Sequence, residues 1–95
     1  MRFEWDEAKS RNNRKKHGIS FELAAEVFSD PFCLTIPDCV VEGELRSWTI
    51  GRIANLTVVL VVHTVRDEDG EQTIRLISAR RATPGERKVY EEIDQ

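Results

Sequence analysis

Leu56-Thr57-Val58-Val59-Leu60-Val61-Val62-His63-Thr64-Val65 is the most apolar run in the chain, and most of its side chains are β-branched. At ten residues it is far short of the 18 or so that a membrane span requires. Its composition is that of a central strand covered on both sides. Arg66 to Glu71 follows as a hairpin turn, with Asp69-Gly70 supplying the turn chemistry. The returning strand starts at Thr73 and continues through Ile74-Arg75-Leu76-Ile77-Ser78-Ala79-Arg80-Arg81-Ala82. Cations delivered by the end of such a strand are positioned by packing, which suits an anion site. Arg75 and Arg80 lie on opposite parities, so a regular strand would project them from opposite faces.

Upstream, Glu44 to Ile53 reads as a strand with Arg46, Trp48, Ile50 and Arg52 on one face. Phe32 to Ile36 is a shorter strand that ends in a Pro37-Asp38 turn, and Phe3-Glu4-Trp5 is a first strand. Between Asp6, a good N-cap, and His17 the only apolar residue is Ala8, so this helix has no stripe with which to dock. Lys9, Asn13 and Lys16 share one of its faces. Ser20 caps a second helix whose Phe21, Ala24, Ala25 and Phe28 follow core spacing, and Asp30-Pro31 stops it. Thr83-Pro84-Gly85-Glu86 is a capping box that opens a last helix carrying Val89, Tyr90 and Ile93. The order β-α-α-β-β-β-β-α, two N-terminal helices, an antiparallel β meander and a C-terminal helix, is the α+β class in a single domain over residues 1–95.

Charge is distributed unevenly along the 95 residues. The net charge is −3, yet residues 1–18 carry +3, residues 19–44 carry −6 and the remainder balances. An acidic total disfavours architectural nucleic-acid binding but leaves room for a local basic cleft. No apolar stretch of signal-peptide length opens the chain, which reads as cytoplasmic. Cys33 and Cys39 lack metal-ligand spacing with His17 or His63, and in this context a disulfide is not expected. No phosphate loop, dinucleotide fingerprint or nucleophile elbow is present, and neither cofactor nor metal is implied.

The remaining chemistry is arginine, two histidines and one tyrosine. Metal-free RNA cleavage needs a base for the 2′-hydroxyl, cations for the phosphorane and an acid for the leaving 5′-oxygen. Arginine suits the second task through its planar, permanently charged fork. Lys16 or His17 is a candidate for moving protons, histidine being the residue whose unperturbed pKa lies near neutrality. Tyr90 is a candidate proton donor or stacking surface. Each has a plainer explanation: Lys16-His17-Gly18 as a helix stop, Arg46 and Arg52 as partners of Glu42, Glu44 or the acidic Arg66–Glu71 turn, His63 as a hydrogen-bonded core residue, Tyr90 as packing.

Several motifs in order extend the reading: Phe3-x-Trp5-Asp6-x-x-Lys9, Asn13-x-x-Lys16-His17-Gly18-Ile19-Ser20-Phe21, Val27-Phe28-x-Asp30-Pro31, Glu44-x-Arg46 with Gly51, Val-Val-His63-Thr, and Ile77-Ser78-Ala79-Arg80-Arg81-Ala82 with Glu86 and Tyr90. Together they resemble the BrnT family of type II toxins, nearly end to end. The resemblance implies a RelE-like fold and a ribonuclease that blocks translation and growth. It implies a BrnA-like antitoxin partner in a heterotetramer, with operator DNA bound only through the antitoxin and no membrane association. Carried onto this chain, it makes Lys16, His17, Arg46, Arg80 and Tyr90 the catalytic candidates, with Lys9 and Arg75 as weaker phosphate contacts. The rival expectations are a non-catalytic module that serves as antitoxin-dependent co-repressor, and a poison of a protein target such as gyrase.

Overall fold

The run Val58–Glu68 does become the middle of a sheet. In the computed structural model, which describes residues 1–93, the elements are β1 (Arg2–Glu4), α1 (Glu7–His17), α2 (Phe21–Ala24), a 3-10 helix (Ala25–Ser29), β2 (Leu34–Val41), β3 (Glu44–Arg52), β4 (Val58–Glu68), β5 (Glu71–Arg81) and α3 (Pro84–Ile93). The strands form one sheet in the order β1-β5-β4-β3-β2. The α+β expectation holds, but the sheet is mixed and not an antiparallel meander throughout, because β1 joins β5 in parallel.

Three boundaries differ from the sequence reading, each for a local reason. The turn at Pro37-Asp38 is absent: β2 runs on to Val41 with a register shift between Pro37 and Cys39, and the chain reverses at Glu42-Gly43. Proline is tolerated there because β2 is an edge strand and owes no hydrogen bond on its outer side. Leu56 and Thr57 belong to the preceding turn and not to β4, since Leu56 has φ 65° and its N–H bonds Ile53 O at 2.9 Å. The third hairpin is tighter than expected, with β4 and β5 paired as far as Glu68 and Glu71 around a two-residue Asp69-Gly70 turn.

Register divides the sheet into two faces. Thr49, Gly51, Val59, Val61, His63, Ile74, Leu76 and Ala79 share one, closed by Ile19, Phe21, Ala24 and Val27 from the N-terminal helical layer. Gly51 suits this close approach of the 3-10 helix to β3: a Cβ would lie 3.1 Å from Val27 Cβ and 3.2 Å from Cys33 Cβ, so a larger residue would push these neighbours back by a few tenths of an ångström. Arg46, Trp48, Ile50, Leu60, Val62, Thr64, Ser78 and Arg80 share the other face. α3 covers only one end of it, where the wholly buried Tyr90 packs with Ile50, Val58, Leu34 and Ala82.

The polar helix α1 docks by hydrogen bonds. β1 pairs only with Thr73 to Arg75, so the rest of β5 lacks a strand neighbour on that side. Asn13 takes the neighbour's place: its Nδ2 donates to Ala79 O at 2.9 Å and to Ile19 O at 2.7 Å, and its Oδ1 accepts from Ala79 N at 3.3 Å. Ser10 Oγ accepts from Phe21 N at 2.9 Å. Both residues are buried, so a helix without an apolar stripe is anchored by side chains that stand in for backbone partners.

Candidate active site

The decisive local feature is in β5. Val62 pairs with Ser78 and His63 with Leu76, so Ile77 is an extra residue bulged out of the ladder. The bulge resets parity and places Arg75 and Arg80 on the same face, correcting the expectation that they point apart. Arg46, Thr64 and Arg75 then form one cross-strand row, continued to Glu4 on β1. With neighbouring strands about 4.8 Å apart, the backbones carrying the two arginines are separated by roughly 10 Å, a span that a phosphodiester strand can bridge. Thr64 is 4% exposed, and its Oγ1 has no hydrogen-bond partner among the described residues.

Charges around the row are graded. Arg66 Nη1 lies 2.7 Å from Glu4 Oε1, and Arg75 Nη1 lies 3.5 Å from the same oxygen. The Arg66 hydrogen bond chiefly holds the Glu4 carboxyl below its ordinary range. Arg46 makes no hydrogen bond or ion pair among the described residues, so the expected pairing with Glu42 or Glu44 is not made. Arg80 is bound in a fork: Nη1 to Glu86 Oε1 at 2.8 Å and Nη2 to Glu86 Oε2 at 3.0 Å. Glu86 also closes the capping box, accepting from Thr83 N at 2.9 Å while its own N–H donates to Thr83 Oγ1 at 3.2 Å. The Arg80 hydrogen bonds are the main reason its carboxyl is lowered to about 2. Arg80 therefore locks the first turn of α3 to β5 while remaining partly exposed on the open face.

The other candidates are placed differently. Lys16 and His17 end α1, within one turn of the Asn13–Ala79 contact, so they stand beside the uncovered edge of β5. The structure does not join them to Arg46 or Arg80, and neither makes a hydrogen bond or ion pair among the described residues. Gly18 caps the helix at φ 74° with its N–H on Arg14 O, so the stop-signal reading of Lys16-His17-Gly18 holds as well. Lys9 is exposed on the first half of the same helix. Tyr90 is withdrawn: fully buried, it donates its hydroxyl to Asp30 Oδ2 and carries the Arg52 guanidinium 5.3 Å above its ring.

Asp30 is a residue whose role the sequence did not disclose. It also accepts from Arg52 N at 2.8 Å and, through Oδ1, from Phe32 N at 2.9 Å. Burial pushes its carboxyl up, but these donors outweigh that and hold it below the usual range. The only sequence signal was its position before Pro31. His63 is the core residue expected from its surroundings: Nε2 lies 2.7 Å from Thr49 Oγ1, the ring meets Phe28 edge-on at 5.0 Å, and burial lowers its pKa. Among the described residues no three His, Cys, Asp or Glu cluster to hold a metal, Cys33 and Cys39 are free, and no helix is long and apolar enough to cross a membrane.

A family model described as "Ribonuclease toxin, BrnT, of type II toxin-antitoxin system" matches residues 5–86. The chain belongs to the BrnT family. Its fold is similar to that of the Brucella abortus ribonuclease toxin BrnT, whose crystal structure superposes with a TM-score of 0.59 at 25% identity over 87% of this chain and 97% of that one. No curated protein sequence matches. Membership makes an antitoxin partner part of the family setting, and the matched segment spans Arg46, Thr64, Arg75, the end of α1 and Glu86.

Proposed function

We propose that this chain is a RelE-like, metal-independent endoribonuclease whose cleavage of RNA arrests translation and growth, and that a BrnA-like antitoxin silences it within a heterotetramer that reaches operator DNA only through the antitoxin. The observation that supports this most is the β5 bulge, which gathers Arg46, Arg75 and Arg80 on one open face. Arg46 and Arg80 hold the phosphorane oxygens, and Arg75 and Lys9 contact flanking phosphates. An RNA strand crossing this face and leaving over the edge of β5 passes the end of α1.

There His17 takes the proton of the 2′-hydroxyl as its oxygen attacks phosphorus. Lys16 neutralises the phosphate as the bond to the 5′-oxygen breaks. Lys16 Nζ gives a proton to that leaving oxygen, and the products are a 2′,3′-cyclic phosphate and a free 5′-hydroxyl. Arginines are well suited to the charge held in that transition state, because they stay ionised and grip two oxygens at once.

Incubation of purified protein with RNA in excess chelator tests the proposal. Cleavage with cyclic-phosphate ends, lost in Arg46→Ala, is the expected result, and cleavage that requires added divalent metal would sink the mechanism. The exposed Ile36, Val40 and Leu45 along β2 and β3 favour a second reading, a partner-binding co-repressor without chemistry. Expression of the protein alone separates the two, because such a module would be tolerated by the cell.

A further inference from the structure

The open face holds a hollow beside α3 that the phosphate chemistry does not use. It has a volume of about 140 Å³ and is lined by Ile36, Trp48, Ile50, Leu60 and Val89, with Glu86 the one charged residue. At roughly 30 Å³ per water it has room for four or five waters, the scale of one planar heterocycle. Trp48 is half-buried, and its Nε1 donates to Asp38 Oδ2 at 3.1 Å, which fixes the turn of the ring. Register sets Trp48 between two cationic levels: the Arg46–Thr64–Arg75 row lies one step along the strand, and the Ile50–Leu60–Arg80 row lies one step the other way. Each step is roughly 6.8 Å, comparable with the reach from a base to its own phosphates.

We infer that this hollow is a nucleobase subsite, in which one unpaired base of a single-stranded RNA stacks on Trp48 while the phosphate joined to it is the one that Arg46 and Arg80 hold. The inference builds on the ribonuclease reading and adds what that reading lacks, a place for the base. Charge decides the occupant. Arg46 and Arg80, the latter held by Glu86, stand on the same face in the register rows on either side of Trp48, an arrangement that matches a flat ring carried on a polyanion, and base–aromatic stacking tolerates any base because every base has a π-face. The Glu86 carboxylate at the rim accepts hydrogen bonds only, so an exocyclic amino group is the base feature it can meet.

The chain has two tryptophans, so Trp5→Phe leaves Trp48 as the only indole reporter. In that background, an uncleavable 2′-O-methyl hexanucleotide is expected to quench Trp48 fluorescence, whereas inorganic polyphosphate, equally anionic but without bases, is expected not to. Trp48→Ala should weaken hexanucleotide binding about tenfold or more, with Trp48→Phe recovering most of the loss. Equal quenching by polyphosphate, or wild-type affinity in Trp48→Ala, overturns the subsite. So does a hollow that responds to an added antitoxin but not to the oligonucleotide. The two proposals fail separately: quenching without RNA cleavage sinks the ribonuclease reading alone, and cleavage with KM unchanged in Trp48→Ala sinks the subsite alone.

Discussion

The two faces of this sheet are made by the same strands yet differ in what their polar groups do. On the closed face most polar groups are consumed, although His63 Nδ1 is buried without a partner among the described residues. His63, Thr49 and Thr35 form a chain of hydrogen bonds across three strands, with both links 2.7 Å, and Asn13 satisfies Ala79. On the open face polar groups are left over: Arg46 is unmatched and Thr64 Oγ1 is unsatisfied among the described residues. A buried polar group without a partner costs about 1–3 kcal/mol, so a fold tolerates such groups only in small number. The contrast teaches that titratable chemistry alone is a poor guide to a site. His63 is the better buried of the two histidines and is structural, while Arg46, Arg75 and Arg80 stand partly exposed on the other face of the same sheet.

The largest effect should come from removing the device that separates the faces. Insertion of one residue between Val62 and His63 would give Ile77 a partner and make the ladder regular, which turns Leu76 toward the open face and Arg75 toward the closed one, since a one-residue slip exchanges every side chain. No cooperatively folded protein is expected by circular dichroism and thermal melting. A native-like melt would show that the bulge is dispensable.

Next, Arg80→Ala should cut RNA cleavage at least about a hundredfold, the usual cost of one lost charge-stabilising donor. Its partly exposed fork with Glu86 contributes at most about 1 kcal/mol, so the melting temperature should fall by no more than about 4–8 °C. Normal growth arrest by this variant would remove Arg80 from the site.

Asn13→Ala tests the closed side. Stripping the Ala79 peptide of its partner should cost about 1–3 kcal/mol in denaturant melts. Activity per folded molecule should fall as well if α1 aims His17, and a loss of stability with full activity would separate the helix from the chemistry.

The smallest effect concerns pH. The Glu86 carboxyl is lowered from 4.5 to about 2 in the folded protein, so its stabilisation is complete above about 4.5 and is lost as pH falls through about 2. The gap in melting temperature between wild type and Glu86→Gln should therefore be largest near pH 6 and close toward pH 2. A gap that does not change with pH would mean the fork contributes no charge-dependent stability.

Much of the architecture was legible residue by residue. The Leu56–Val65 run as a core strand, apart from its first two residues, the Asp69-Gly70 turn, the Ser20 cap and the Thr83–Glu86 capping box all express local chemistry and are found where their residues stand. The motif likeness pointed to the family that the match over residues 5–86 shows. The site was less legible. A count of parity along β5 put Arg75 and Arg80 on opposite faces, and no residue in Leu76-Ile77-Ser78 announces a bulge. Tyr90 and Asp30, 60 positions apart, gave no sign of their bond. Asn13 looked like one more polar residue of a wet helix.

The amino-acid sequence by itself determined which segments become strands and helices, where most of them stop, and that cations gather at the end of β5, because periodicity, caps and turn residues act over a few positions. Only the tertiary structure decided which of those cations share a face. That depends on one bulged residue and on an edge left open by a three-residue strand, and strand pairing between distant segments is what creates both.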